Sequence, residues 1–438
     1  MTTPAPTRRR NTAATRARIV DAAREVFVAH GYRAASLRDV AAAAGITHPG
    51  LLKHFATKDL LLAAVIATYD RAAEDVMQPG GATVAAGDLV FSAVAARNQQ
   101  IEGYLPLYAA LVGEGSTRGH PAHAYMRERY ARLREVSALQ LRDASAVGAV
   151  HPTRDFAGEA VRLAAVWDGL QLLALYLPAR VDVVALLTEV QRLLATAPRS
   201  RGPADGGQGG PTHDGDGAPR AAASGSASPA RWPSLDLGID DGDTAEGYRV
   251  GRERRARILR DATALFARDG YAETSLREIA ERVGVSKSAL LHHYSSKDAL
   301  LRAVLTERDR AISATPPATT DRAADFVRSL PRSAAENAAT TPGLIEVYAV
   351  LSCEALPGDH PAHDYFTRRF TATVDHFAAV LRAAQRDGDL PDHRDPEREA
   401  IRLVALWDGL QYQWLYDRDS VDVAAHLRAH LDDILPPH

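Results

Sequence analysis

Cysteine is almost missing from this 438-residue chain: Cys353 stands alone. One thiol excludes any disulfide within the chain and fits a reducing compartment, so a cytoplasmic location is expected. Long apolar runs are missing as well. The longest, Leu60 to Tyr69, is too short to cross a bilayer, and Met1 to Arg18 is polar and basic, without the apolar stretch of a secretory signal. No membrane partner is expected. There is no glycine-rich phosphate loop, no nucleophile–base spacing of a hydrolase triad and no zinc-ligand spacing, which argues against an enzyme and against any cofactor. His120-x-x-His123 and His360-x-x-His363 come nearest to a metal signature. Pro121 and Pro361 mark helix starts there and no cysteine accompanies them, so helix caps or core positions are expected and no metal. Lysine is the scarcest charge. The chain has four, Lys53, Lys58, Lys287 and Lys297, and arginine carries the positive charge everywhere else.

Those four lysines mark what the chain does have, a duplicated segment. Ser36-Leu37-Arg38-Asp39-Val40-Ala41-Ala42-Ala43-Ala44-Gly45-Ile46-Thr47-His48-Pro49-Gly50-Leu51-Leu52-Lys53-His54-Phe55 aligns without a gap on Ser275-Leu276-Arg277-Glu278-Ile279-Ala280-Glu281-Arg282-Val283-Gly284-Val285-Ser286-Lys287-Ser288-Ala289-Leu290-Leu291-His292-His293-Tyr294. Each copy reads as helix, tight turn, helix. Ser36 caps the first helix with Asp39 three residues on, Gly45 supplies the turn, and Thr47 caps the second helix. Pro49 is tolerated there because the first helical amides lack partners in any case. Leu51, Leu52 and Phe55 are expected to pack back on a preceding amphipathic helix, Asn11 to His30, which Gly31 ends.

The repeat continues. Phe27 matches Phe266 and Lys58-Asp59 matches Lys297-Asp298, 239 positions apart. Farther on the offset is 240: Tyr108 matches Tyr348, Glu114 matches Glu354, and Trp167-Asp168-Gly169-Leu170-Gln171 matches Trp407-Asp408-Gly409-Leu410-Gln411. A repeat this long is a duplicated domain pair rather than a solenoid unit. Helical segments are expected near 88–114, 121–146, 154–177 and 182–195, and no stretch shows strand alternation. The fold class is therefore all-α: two tandem units, each a helix-turn-helix domain followed by a helical bundle. The expected divisions are a basic disordered arm at 1–11, helix-turn-helix domains at 12–77 and 249–312, helical bundles at 82–197 and 320–435, and a disordered linker at 198–248 rich in Pro, Gly, Ala, Ser and Asp.

Charge follows the same division. Residues 1–60 hold ten Arg and Lys against four acids, and residues 249–300 hold eleven against seven, in a chain of net charge −3. Two basic islands in an acidic chain point to a polyanion at two sites. A helix-turn-helix places its second helix in the major groove, so double-stranded DNA is the expected partner. His48, Pro49, Gly50, Lys53 and His54 lie on the exposed side of the first reading helix. Lys287, Ser288, Ala289, His292 and His293 lie on that of the second. Thr47 and Ser286 start these helices facing a phosphate, Ser36 and Ser275 open the preceding ones, and Lys58 and Lys297 are expected to touch phosphates. Arg8-Arg9-Arg10 and Arg252, Arg254 and Arg255 form arms that can reach the backbone or a minor groove.

Both copies resemble the TetR family of bacterial transcriptional regulators. The residues that carry the likeness are Phe27 to Leu61 and Phe266 to Leu300: Phe-x-x-x-Gly-Tyr, a Ser-capped helix, a Gly turn, and a reading helix closing in an aromatic residue followed by Lys-Asp-x-Leu. Leu52 and Leu291 stand where members often carry a tyrosine. The resemblance implies a regulator, a repressor by preference, whose helical bundles bind a small-molecule effector and pair through their last two helices. Tyr104, Tyr108, Trp167, Tyr348, Trp407 and Tyr412 are the candidate ligand-pocket residues, although aromatics at helical spacing also serve as plain core. Members usually act as homodimers, whereas this chain carries two units. A flexible linker of about 50 residues spans roughly 40 Å, comparable to the roughly 34–36 Å between half-sites one turn apart. The two bundles can thus pair within one chain as a covalent pseudo-dimer reading an asymmetric operator, with a homodimer of chains as the other arrangement. The competing function is a helical interaction or scaffold protein whose heads no longer read DNA.

Overall fold

The computed structural model describes residues 6–32, 34–77, 89–198, 249–313 and 322–435. The first unit comprises α1 (Pro6–His30), α2 (Leu37–Ala43), α3 (His48–Leu52), α4 (Lys58–Met77), α5 (Phe91–Gln100), α6 (Tyr104–Gly115), α7 (His123–Ala146), α8 (Phe156–Tyr176) and α9 (Val183–Leu193). The second comprises α10 (Arg249–Glu273), α11 (Leu276–Val283), α12 (Lys287–His293), α13 (Lys297–Ser313), α14 (Ala323–Thr340), α15 (Pro342–Glu354), α16 (His363–Arg386), α17 (Pro396–Tyr416) and α18 (Val423–Ile434). Among the described residues there is no strand, and the fold is all-α. The linker from 199 onward, with its Trp232, Leu235, Leu237 and Ile239, and the Pro79–Gly81 break fall outside the described residues.

Local chemistry sets the helix boundaries. Ser36 and Asp39 form a reciprocal capping box at α2: the Asp39 amide donates to Ser36 Oγ at 3.3 Å and the Ser36 amide to Asp39 Oδ2 at 2.9 Å. Asp182 and Asp422 cap α9 and α18 from one side, each accepting an amide three residues on at 2.9 Å. Two expectations are corrected. Helix α1 begins at Pro6 and not at Asn11, so Arg8 to Arg10 belong to a helix and not to a disordered arm. The segment 88–114 is two helices, α5 and α6. Gly103 breaks it at φ +71, where an added Cβ would lie 2.6 Å from a methyl of Val28 on α1; the backbone turns there against a neighbouring helix.

In each unit the first four helices form a small head and the next five a bundle. The bundles meet along α8 and α17. Small residues permit an unusually close crossing. A Cβ added to Gly169 would stand 2.0 Å from the Ala405 carbonyl oxygen, and one added to Gly409 would stand 1.9 Å from that of Ala165. Ala165 and Ala405 are equivalent positions, as are Gly169 and Gly409, so the contact is exchanged reciprocally, as it is across a two-fold axis. Other contacts repeat the exchange. Tyr176 Oη donates to the Ser352 carbonyl at 2.6 Å, and Tyr416 Oη to the equivalent Val112 carbonyl at 2.7 Å. Gly113 lies against its own equivalent, Cys353, whose thiol pKa burial pushes up to about 12. Ion pairs at the margins add specificity more than stability: Arg180 with Asp375 and Glu397, both at 2.8 Å, and Arg134 with Asp417 at 3.1 Å.

The exchange is not complete. Thr117 Oγ1, in the connection after α6, donates to the Ala267 carbonyl of α10 at 2.8 Å. Its equivalent, Pro357, has no hydroxyl to return the bond.

Candidate DNA-reading heads and effector cavities

Each head presents its reading helix by burying one residue and capping the start. Leu51 and Leu290 are fully buried. Thr47 Oγ1 accepts the Gly50 amide at 3.2 Å, and Ser286 Oγ the Ala289 amide at 3.1 Å; these hydroxyls shape their helices first. Gly45 and Gly284 hold the turn at φ +64 and +77. Lys53, Lys287, Ser288 and His292 are exposed; His48, Gly50, His54, Ala289 and His293 are half-buried. Ser275 Oγ accepts the Glu278 amide at 3.1 Å, so Ser36 and Ser275 are both caps. Leu52 departs from expectation. It does not pack on α1 but stands 40% exposed on the reading side, because Leu51 already fills the inward position of a helix only five residues long. Arg16 and Arg255 clamp the reading helices from α1 and α10. Arg16 stacks on Phe55 at 4.0 Å and donates to the His54 carbonyl at 2.9 Å, and Arg255 lies over Tyr294 at 5.1 Å. Arg255 therefore packs within its own head rather than extending as a free arm.

Lys58 and Lys297 also turn inward. Lys58 Nζ donates to the Tyr32 and Ala35 carbonyls at 3.1 and 3.2 Å and lies over the Tyr32 ring at 4.6 Å. Lys297 Nζ donates to the Ala272 carbonyl at 3.2 Å and lies over Tyr271 at 4.2 Å. Each amine thereby satisfies carbonyls left open where the preceding helix ends.

Each bundle encloses a cavity at equivalent positions. The first, about 80 Å³, is lined by Tyr69, Tyr104, Tyr108, Tyr130, Trp167 and Asp168 among others. Arg129 grips Asp70 with two hydrogen bonds of 2.7 Å, and Asp168 accepts from Tyr108 Oη at 2.9 Å and Tyr130 Oη at 2.7 Å. The second, about 40 Å³, is lined by Arg308, Tyr348, Arg369, Phe370, Trp407 and Asp408 among others. Five of the six aromatic residues chosen as pocket candidates line these cavities. Tyr412 does not: it bonds Ser352 Oγ at 3.0 Å and touches Cys353 Sγ at 3.4 Å. Five residues beyond Trp407 is about 140° round a helix, which turns Tyr412 towards α15.

Residues 19–65 and 258–304 each match the family described as bacterial regulatory proteins, tetR family, and residues 354–436 match the C-terminal region of the BetI-type transcriptional repressor. The chain is 31% identical over 190 residues to the HTH-type transcriptional regulatory protein RaaS of Mycobacterium tuberculosis, covering 42% of this chain and 81% of that protein. The chain belongs to the TetR family. It is also 27% identical over 188 residues to the HTH-type transcriptional regulator TtgR of Pseudomonas putida, covering 41% of this chain and 89% of that one. Among solved structures, the TetR regulator TylP of Streptomyces fradiae aligns at 25% identity with a TM-score of 0.35, over 43% of this chain and 90% of that chain. The family segment occurs twice, so this is a tandem TetR-family chain, and its relatives are transcriptional regulators.

Several groups in this TetR-family chain leave no mark in the sequence because they act across long separations. Asp59 accepts from His120 at 3.4 Å and from Tyr32, joining the first head to the start of α7. Burial opposes ionisation of Asp59, yet the hydrogen bonds from His120 and Tyr32 outweigh it and hold the pKa below the usual carboxylate range. In the second unit, buried Glu354 at the end of α15 accepts the Tyr271 and Ala272 amides at 2.6 and 2.7 Å. The paired His motif divides its labour: His123 Nδ1 meets the Gly115 carbonyl at 2.9 Å, while His120 faces Asp59 and Glu114. The matched spacing of Glu114 with Glu354 is visible in the sequence; the role is not.

Asp408 gives a pH prediction. Burial raises its pKa to about 6, against the opposing pull of Arg308 and Arg369. A raised carboxyl contributes stability that is full below its ordinary pKa and is lost as pH rises through about 6. Asp408→Asn should therefore be more stable than the parent at pH 7, by about 2–3 kcal/mol, and by little at pH 4. Urea unfolding at the two pH values checks this; equal gains at both would count against a buried, raised carboxyl.

Proposed function

We propose that this chain is a ligand-responsive, sequence-specific transcriptional regulator, acting as a repressor, in which one polypeptide supplies both halves of a DNA-reading pair. The reading rests chiefly on the reciprocal α8–α17 crossing, where equivalent glycines and alanines exchange places. That crossing takes the place of a second chain in holding two heads together. The heads differ, His48-Pro49-Gly50-Leu51-Leu52-Lys53 against Lys287-Ser288-Ala289-Leu290-Leu291-His292, so the preferred operator is asymmetric. Helix α6 carries Tyr104 and Tyr108 at the cavity and, in its last turn, Glu114 beside Asp59 of the head. A ligand that shifts α6 thereby shifts the head, and DNA and ligand weaken each other reciprocally.

Light scattering on the protein bound to its upstream DNA tests this, together with a mobility shift titrated with salt. One chain per duplex is expected, with specific binding that weakens steeply as salt rises. An obligate dimer of chains, with four reading heads, would remove the single-chain pair. Binding indifferent to sequence would remove the regulator.

A further inference from the structure

We propose that the cavity of the first bundle binds one small organic cation per chain, an ammonium compound that also carries a hydrogen-bond acceptor, and that the corresponding cavity of the second bundle is closed to it. The proposal rests on the regulator reading and adds the ligand's chemical class and stoichiometry.

Three buried polar atoms on the first cavity's wall have no hydrogen-bond partner: Tyr69 Oη, Trp167 Nε1 and Gln171 Oε1. Tyr69 and Gln171 are each 7% exposed. Native interiors pair such groups, so their convergence on one cavity marks a ligand's place. Gln171 Oε1 requires a donor and Trp167 Nε1 an acceptor. The charge balance fixes the sign. Asp70 is neutralised by the two-pronged Arg129 contact. Asp168 is held by two tyrosine hydroxyls, which carry no charge. One negative charge is left over on a wall that also carries Tyr69, Tyr104 and Trp167, aromatic surroundings that favour a cation. Burial raises the Asp168 pKa, and a bound ammonium would reverse that shift. An anion would meet Asp168 directly. In size, a cavity of about 150 Å³ holds benzene, so about 80 Å³ suits a ligand of roughly three or four heavy atoms.

The second cavity has the same frame with different contents. Arg308 stands at the position of Tyr69, stacked on Tyr348 at 3.9 Å and paired with Asp309 at 3.0 Å. Arg369 also pairs with Asp309, at 2.7 Å. Two guanidinium groups now balance Asp309 and Asp408, and the unpartnered atoms on this wall, Arg308 Nε, Arg369 Nε and Asp408 Oδ2, set two cationic donors beside one carboxylate oxygen. Phe370 and Phe377 replace Tyr130 and Ser137, and only about 40 Å³ is left. A cation entering there meets an extra positive charge and less room.

Isothermal calorimetry on the full chain tests the proposal with three probes of one chain length: 2-aminoethanol, ethane-1,2-diol and hydroxyacetate. The ammonium probe should bind at one per chain, at least tenfold tighter than the diol, with the carboxylate not detected. Asp168→Asn should weaken it at least tenfold. Gln171→Leu, which leaves the carboxylate–tyrosine contacts intact, should do so too, and it guards against a folding defect in the first variant. Absence of ammonium binding overturns the proposal, as do equal binding of the diol or the carboxylate, two sites per chain, or a loss on Asp408→Asn with none on Asp168→Asn. A mobility shift on the same preparation separates the two readings. Protein that shifts DNA but ignores the ammonium defeats the ligand proposal alone; protein that ignores DNA defeats the regulator, while calorimetry still decides the cavity.

Discussion

Gly409→Val is expected to destabilise the chain by about 4 kcal/mol or more and to separate its two bundles. Overfilling a core ordinarily costs about 1–3 kcal/mol, because side chains and loops give way. Here the obstacle is backbone. The new Cβ would stand 1.9 Å from the Ala165 carbonyl oxygen and 2.5 Å from its carbon, and α8 cannot move without disturbing the buried faces on both of its sides. The reciprocal site predicts the same for Gly169→Val, whose Cβ would meet Ala405 at 2.0 Å. Gly343→Ala is the control: no atom lies within 4 Å of its added Cβ, and alanine in a helix gains up to about 1 kcal/mol over glycine. Urea unfolding midpoints compare the three. If Gly409→Val stayed within about 0.5 kcal/mol of the parent, α8 and α17 could not cross so closely. Operator binding should fail together with stability, since the crossing sets the separation of the heads.

The second large effect concerns lysine. Replacing Lys53 and Lys287 together by alanine should lower operator affinity roughly 30-fold near 0.15 M salt and reduce the slope of log affinity against log salt by about 1.8, about 0.9 for each phosphate that is no longer neutralised. Both side chains are exposed on their reading helices. Lys58→Ala should behave differently. Its amine satisfies two carbonyls and covers Tyr32, so the loss should appear as about 1–3 kcal/mol of stability with the salt slope unchanged. Mobility shifts over a range of salt, paired with thermal unfolding of each variant, distinguish the classes. A salt slope that falls for Lys58→Ala but not for the Lys53/Lys287 pair would invert the assignment.

Lysine also shows where a sequence stops being informative. Four lysines at matching positions look like one functional set. Two of them stand on the outer face and two fold back on the chain, and the difference is set by where α1 and α10 end, 23–26 residues away in sequence. Leu52 misleads for a related reason. In so short a helix only one of two adjacent leucines can face inward, and helical periodicity has too few turns to choose between them. The break at Gly103 depends on Val28, a residue on another helix.

What the sequence determined by itself was everything that local chemistry and repetition encode: an all-α chain, two copies of a capped helix–turn–helix, the Ser and Asp caps, and the aromatic positions lining the bundles. Tertiary structure alone decided the crossing of Gly169 and Gly409, the Asp59–His120 and Glu354 links between head and bundle, and the difference between the two cavities. Caps and turns are made by residues three or four apart, so their signals survive in one dimension. Close approach, leftover charge and unpaired buried atoms are sums over groups brought together from far along the chain, and they exist only once it has folded.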